Sequence, residues 1–129
     1  MTNVSRRDIV WVTFPDEDED GIFPEEMDDP HMAVVIQTDD VNNALNSTVV
    51  IPITTGGVRN PLREVTIPPH DEDVEHQSKA VLTQITTVSV PGRIFDEDED
   101  EAAWKQGVLS REKMNEIEDR LGYLFGVGY

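Results

Sequence analysis

The sequence contains no cysteine, which excludes a disulfide scaffold, thiolate metal sites and a cysteine nucleophile. It also lacks long apolar stretches, and none approaches the ~20 residues that a membrane-spanning helix needs. The first residues contain no apolar run of the ~7–15 residues that mark a secretory signal. We therefore expect a cytoplasmic protein without a membrane partner.

Lysine is scarce, whereas acidic residues are abundant: 27 Asp and Glu face 10 Lys and Arg, a net charge of −17. Most of the acids lie in four runs, at 16–20, 25–29, 71–75 and 96–101. Their position between predicted strands disfavours a disordered tail. A surface for a basic partner remains open. The composition favours adaptation to multimolar salt, where the Debye length falls to about 3 Å and the runs no longer repel one another.

The length of 129 residues indicates one domain, 1–129, and the apolar patterning of that domain is mostly that of β-strands. Residues 39–47 predict a turn or short helix between strands, and Pro52 places a bulge or an edge in its strand. The predicted strands cover residues 8–14, 32–38, 48–54, 64–67, 79–88 and 93–95.

The end of the chain changes to helical periodicity. Ser110 is a candidate N-cap and Gly126 a candidate C-terminal stop. Between them, one apolar stripe is formed by Met114, Ile117, Leu121 and Leu124. The predicted fold class is therefore mainly β with α: a small curled barrel covered by a C-terminal helix.

Five motifs occur in an order that resembles the MazF/PemK toxin family over residues 6–125. They are Arg6-Arg7-Asp8 before the first strand, HMAVVIQTD at 31–39, Asn42-Asn43 followed by PITTGG at 52–57, TQITTVS at 83–89, and Leu109-Ser110 before Met114 and Ile117. Their order across nearly the whole chain is what makes the resemblance specific.

The resemblance implies an SH3-like barrel of five to seven strands plus a C-terminal helix. It further implies a type II toxin that cleaves single-stranded RNA sequence-specifically, without a metal or cofactor. Such a toxin is held by an antitoxin and forms a homodimer. The apolar strand at 32–38 also favours a dimer, because it needs cover on both faces.

The resemblance implies catalytic roles for His31 and Thr54, which stand where the family has an Arg and a Thr. His31, with a reference pKa of ~6.5, suits an acid or a base. The predicted substrate-binding residues are Thr55, Arg59, Arg63 and Gln84. The two arginines are the candidate cations, since His31 replaces the family's Arg.

Structural interpretations of these residues remain open. His31 follows an acidic segment and suits a loop histidine, Thr54 suits a strand end, and Gln84 suits a barrel rim. The spacing of His70 and His76 fits no known ligand pattern, so no metal site is predicted. Because the family's Arg is absent, the alternative function is a catalytically silent barrel that acts as a protein- or nucleic-acid-binding regulatory module.

Overall fold

Short strands joined by loops and brief helical segments make up most of the molecule. The computed structural model describes residues 4–13, 30–94 and 101–127. The strands are β1 (Asp8–Val12), β2 (His31–Val35), β3 (Ser47–Thr55), β4 (Glu64–Ile67), β5 (Ser78–Val81), β6 (Thr86–Ser89) and β7 (Lys105–Val108). The helical segments are α1 (Asp39–Ala44), a 3-10 turn (Leu82–Gln84), α2 (Val90–Arg93), α3 (Glu101–Trp104) and α4 (Arg111–Phe125).

The strands form one antiparallel sheet in the order β4-β5-β3-β2-β1-β7, with β6 also paired to β3. This arrangement confirms the predicted fold class of a mainly β chain with a C-terminal helix. The helix predicted within 39–47 is α1, and β4 has the predicted bounds. None of the helices in the described residues is long and apolar enough to cross a bilayer.

The central strand β3 contacts β2 along one edge and two successive strands along the other. Its first half pairs with β6, and its last residues pair with β5. The single strand predicted at 79–88 is therefore wrong, because the 3-10 turn divides it in two. Pro52 lies where the ladder is interrupted, between Val50 and Ile53, and it has no N–H to donate there.

Two other strand predictions need correction. Residues 90–93 form α2, in which Gly92 has a φ of 87°, and Ile94 follows in a turn, so no strand occupies the described part of 93–95. Strand β2 ends at Val35 because the chain then turns into α1, which begins at Asp39. The predictions for Phe14, the acidic runs at 16–20 and 25–29, and residues 95–100 fall outside the described residues.

Apolar side chains cover both faces of the sheet, because alternate residues of a strand point to opposite faces. The first face carries a cluster of Val4, Val10, Val12, Ala33, Val35, Val50, Val88, Val90, Ile94 and Trp104. The second face packs against Met114 and Ile117 of α4. Its own cluster contains Ile9, Val34, Ile51, Ile53, Val65, Ile67, Ala80 and Leu109. Since β2 is buried on both faces within one chain, its apolar character requires no second copy.

Helix α4 begins and ends at the predicted residues. The hydroxyl of Ser110 accepts a hydrogen bond from Lys113 N at 3.1 Å, as an N-cap does. Gly126 closes the helix with a left-handed φ of 67°. The predicted stripe faces the sheet, with Met114 and Ile117 buried and Leu121 and Leu124 packed beside them.

Arg7 is the only non-glycine residue with a positive φ, 79°, among the residues that the structure describes. The family that the chain resembles has glycine at this turn, where left-handed backbone is not strained. Arg7 is held by its own contacts: its Nε donates to Leu109 O at 2.8 Å and its backbone N donates to Val35 O at 2.8 Å. These bonds join β2 and the start of α4 to the first turn.

Candidate functional site

Partly buried polar residues form a row across four strands at one end of the first sheet face. Strand pairing sets Thr54 of β3 opposite Lys79 of β5, and Lys79 opposite Thr66 of β4. Directly opposed residues of antiparallel strands have Cβ atoms about 4.5–5.5 Å apart and share a face. We call His31, Thr54, Lys79 and Thr66 the polar row.

His31 enters the polar row through the register of β2 on β3. Ala33 and Pro52 are the last paired residues of these two strands, and His31 and Thr54 each lie two residues beyond that pair on the face that it shares. Met32 and Ile53, which lie between, both belong to the cluster beneath α4. The two predicted catalytic residues, His31 and Thr54, therefore lie on one face at the same end of their strands.

Thr55 belongs to the opposite face of β3, as the alternation of a strand requires. It is exposed and lines a pocket of about 140 Å³ at the same end of the sheet. Trp11 also lines this pocket and donates from Nε1 to Gln106 Oε1 at 3.3 Å. The predicted neighbours Thr54 and Thr55 therefore face two different surfaces that meet at the end of β3.

Lys79 is the cation nearest to Thr54 by strand pairing, and sequence reasoning missed it. Its ammonium lies 3.3 Å from Glu64 Oε2, and the two side chains are only 11% and 12% exposed. The other carboxylate oxygen of Glu64 accepts hydrogen bonds from Arg59 N at 2.7 Å and Asn60 N at 3.0 Å. Lys79 thus joins β5 to the loop that follows β3.

The pKa of the Glu64 carboxyl lies below its ordinary value. Burial raises this pKa, but the backbone N–H groups of Asn60 and Arg59 and the ammonium of Lys79 together outweigh burial. The carboxyl is therefore ionised at neutral pH. It presents a fixed negative charge to Lys79.

Arg59 and Arg63, the predicted cations, lie on the loop between β3 and β4, and both are exposed. Backbone groups fix their positions, since Arg59 N donates to Glu64 and Arg63 O accepts from Leu82 N at 3.0 Å. Neither guanidinium group makes a hydrogen bond within the part of the chain that the structure describes. Their main chains thus shape the loop beside the polar row, while their side chains extend from it.

Gln84 lies in the 3-10 turn beside the middle of β3, between the residues paired to Val50 and Ile53. It is partly buried, and its Oε1 accepts no hydrogen bond from the described residues. The turn therefore places Gln84 further along β3 than Thr54. The structure does not bring it into the row with His31 and Thr54.

The polar row combines the groups that phosphodiester chemistry needs. Transfer of a phosphate to a neighbouring hydroxyl requires a base, an acid and a charge or dipole for the developing negative charge. An imidazole, a hydroxyl and an ammonium lie on one face at the same end of three strands here, and the last two are directly paired. Among residues 4–13, 30–94 and 101–127, no three His, Cys, Asp or Glu side chains are grouped to hold a metal ion.

The sequence matches the profile of one protein family over residues 5–125. That family is described as the PemK-like, MazF-like toxin of type II toxin-antitoxin system. No curated protein gives a significant match to the chain.

Solved structures of such toxins share the fold at low sequence identity. MazF from Deinococcus radiodurans aligns with a TM-score of 0.73 at 17% identity, covering 98% of this chain and 100% of that one. The Mycobacterium tuberculosis toxin MazF-mt6 gives 0.69 at 15% identity, with 95% and 100% covered. An endoribonuclease from a Mycobacterial species, solved with its cognate antitoxin, gives 0.70 at 13% identity, with 98% of each chain covered.

Proposed function

Because the chain belongs to the PemK-like, MazF-like toxin family of type II toxin–antitoxin systems, we propose that it is a toxin that cleaves single-stranded RNA. The observation that carries this proposal is that His31 and Thr54 lie on one sheet face at the same end of their strands. By the motifs of the sequence, they stand where the family has two residues implicated in cleavage. The similar fold of an endoribonuclease from a Mycobacterial species supports the same activity.

In the proposed reaction, the 2′-oxygen attacks phosphorus and the bond from phosphorus to the 5′-oxygen breaks. His31 either takes the proton of the 2′-hydroxyl or supplies one to the leaving 5′-oxygen, water handles the other proton, and Thr54 donates to a phosphate oxygen. This chemistry uses the RNA's own hydroxyl as nucleophile, so the site we propose holds no metal or cofactor. Thr55 and the pocket beside Trp11 are placed to contact the neighbouring nucleotide.

Alanine variants at both positions test the proposal. We expect His31→Ala and Thr54→Ala each to reduce cleavage about 10²–10⁴-fold, since that is the usual contribution of a positioned acid or base. His70→Ala, at an exposed loop histidine, and Thr87→Ala, at an exposed strand threonine, are matched controls. Cleavage that survives both substitutions in the polar row would show that other residues carry the reaction.

The second candidate is a silent barrel that binds protein or nucleic acid and regulates without cleavage. It is favoured by one observation, His31 in place of the family's Arg. Absence of cleavage by the folded wild-type protein, together with retained binding of an oligonucleotide, would select this candidate.

We propose a homodimer held by an antitoxin as the working assembly. Similar structures of MazE–MazF from Deinococcus radiodurans support an antitoxin partner. The end of α4 offers a surface for an apolar contact, since Tyr123, Phe125 and Val127 are 53%, 61% and 68% exposed. Light scattering should give twice the 14.5 kDa mass of the chain, and a single-chain mass at all concentrations would refute the dimer.

We further propose that the chain is one domain, 1–129, that works in a cytoplasm at high salt. The net charge of −17 and the three lysines support this proposal. Of the described acidic residues, Asp71, Glu75, Glu112 and Glu116 are exposed, as a salt-adapted surface requires, whereas Asp8 and Glu72 are buried. The measurement that tests the salt proposal is thermal unfolding across a salt series, given below.

A further inference from the structure

The position of Lys79 suggests how the site compensates for the missing Arg. We propose that Lys79 supplies the positive charge beside Thr54 to which an RNA phosphate binds, and that Glu64 fixes the position of the Lys79 ammonium. This inference rests on the proposed function and assigns one more residue to the same site. It replaces Arg59 and Arg63 as the candidate cations.

Strand register carries the first step of the argument. Thr54 and Lys79 are direct partners on β3 and β5, so their side chains leave the sheet side by side on one face. His31 of β2 lies on the same face, two residues beyond the pair of Ala33 with Pro52. A phosphate that accepts a hydrogen bond from the Thr54 hydroxyl therefore lies beside the ammonium of Lys79.

Burial carries the second step. With a side chain 11% exposed, Lys79 is shielded from water much more than Arg59 and Arg63, whose residues are exposed. A charge in such surroundings acts on a neighbouring phosphate more strongly than a charge in bulk water does. An ammonium has three N–H donors, and Glu64 is its partner among the described residues. Donors thus remain for a phosphate oxygen.

Glu64 carries the third step, as a positioning residue. Its carboxylate bonds the backbone of Arg59 and Asn60 with one oxygen and faces Lys79 with the other. The ammonium is therefore held in place before substrate arrives, which is how electrostatic stabilisation avoids a reorganisation cost. In the reaction, Lys79 forms no covalent bond and transfers no proton; it offsets the charge that develops on the non-bridging oxygens.

The competing interpretation is a purely structural ion pair that fastens the β3–β4 loop. Lys79→Met and Lys79→Arg separate the two interpretations, with Lys105→Met as matched control. Lys105 is also a strand lysine beside a carboxylate, 3.5 Å from Asp8 Oδ1, but it lies on β7 at the other side of the sheet. A structural role would lower the thermal midpoint without a specific effect on cleavage.

We expect Lys79→Met to lower kcat about 10²–10³-fold, as loss of one oxyanion-stabilising donor does, with a smaller change in KM. Lys79→Arg should retain most of the activity, and Lys105→Met should match wild type. The affinity for a 2′-deoxy oligonucleotide, which cannot be cleaved, gives a second measurement. In Lys79→Met, the slope of log binding constant against log salt concentration should be shallower by about 0.7, the change expected for loss of one phosphate contact.

A second variant guards against misfolding. If Lys79→Met leaves Glu64 with an uncompensated charge and unfolds, the pair Lys79→Met with Glu64→Gln removes both charges and keeps an acceptor for the loop. All variants are compared at a salt concentration where their thermal midpoints show them folded.

The outcomes separate this inference from the proposed function. Wild-type cleavage with unchanged kcat and salt slope in the folded Lys79 variants would refute the role of Lys79 and leave the function intact. Binding without cleavage by wild type would refute the nuclease activity. The salt slope alone would then test whether Lys79 contacts a phosphate. Neither binding nor cleavage by wild type would overturn both.

Discussion

Replacing Asn42, a fully buried side chain on α1, should destabilise the fold strongly. Its Nδ2 donates to Gln37 O at 2.9 Å and to Asp39 Oδ1 at 3.2 Å. Its Oδ1 accepts from Gln37 Nε2 at 2.9 Å and from the buried Thr48 hydroxyl at 2.7 Å. This network joins α1 to the first half of β3, which explains the asparagine at position 42.

The cost of Asn42→Ala follows from the groups that lose partners. Thr48 Oγ1 loses its acceptor, and Gln37 O loses a donor, whereas Gln37 Nε2 keeps its bond to Ser47 O at 3.0 Å. Each buried polar group left without a partner costs about 1–3 kcal/mol, so we expect a loss of about 2–5 kcal/mol. That is a large part of the total stability of a small domain.

Urea unfolding at a fixed high salt concentration measures the effect, with the midpoint falling and the slope unchanged. Asn43→Ala is the matched control: the neighbouring residue of α1 is exposed, and its substitution should change stability by less than about 0.5 kcal/mol. If Asn42→Ala cost less than about 1 kcal/mol, or no more than Asn43→Ala, the network would not hold α1 to β3 as we argue.

Three further predictions concern strain, salt and pH. Arg7→Gly should be more stable than Arg7→Ala by about 1 kcal/mol, because both lose the bond to Leu109 O but only glycine relieves the positive φ; equal urea midpoints would refute this. The thermal midpoint should rise steadily between about 0.1 M and multimolar KCl as screening shortens the Debye length, and a constant midpoint would remove the salt argument. The pKa of Glu64 is lowered by folding, so its contribution is present above the ordinary Glu pKa of ~4.3 and is lost as pH falls through the lower folded value. The urea midpoint of wild type should therefore exceed that of Glu64→Gln by more at neutral pH than in acid. Parallel pH profiles of the two midpoints would contradict this prediction.

Local signals in the sequence were sufficient for the ends of the long helix and for much of the sheet. The N-cap at Ser110 and the glycine at 126 act within a few residues, so their chemistry is visible without tertiary information. Strand β4 was likewise predictable from its alternation. The resemblance supplied what periodicity could not, namely the kind of fold into which the strands and the helix assemble.

Strand β7 and the break at Leu82–Gln84 were missed because their causes are long-range. β7 has the weak strand sequence KQGV, and Asp73, far away in sequence, favours its conformation by accepting from Val108 N at 2.9 Å. A Cβ on Gly107 would clash with the side chain of Asp73, so close packing explains this glycine. The break depends on Pro52, a residue of the partner strand.

The site was half predictable for the same reason. His31 and Thr54 are predictions that rest on motifs, but Lys79 is separated from Thr54 by 24 intervening residues and becomes its neighbour only through the register of β5 on β3. Sequence proximity favoured Arg59 and Arg63 instead, which follow Thr54 closely along the chain. Only strand pairing could distinguish these candidates.

The most direct test of the central claim is the chemistry of the RNA ends that the folded wild-type protein produces. Single-stranded RNA is incubated with the protein in molar KCl, and the products are analysed by mass spectrometry, with Thr54→Ala and Thr87→Ala run in parallel. Attack by the RNA's own 2′-oxygen predicts fragments that end in a 2′,3′-cyclic phosphate and begin with a 5′-hydroxyl. We expect these ends with wild type and Thr87→Ala, and at least about 10²-fold less product with Thr54→Ala. Intact RNA at every salt concentration that keeps the protein folded, or equal cleavage by Thr54→Ala, would contradict the account.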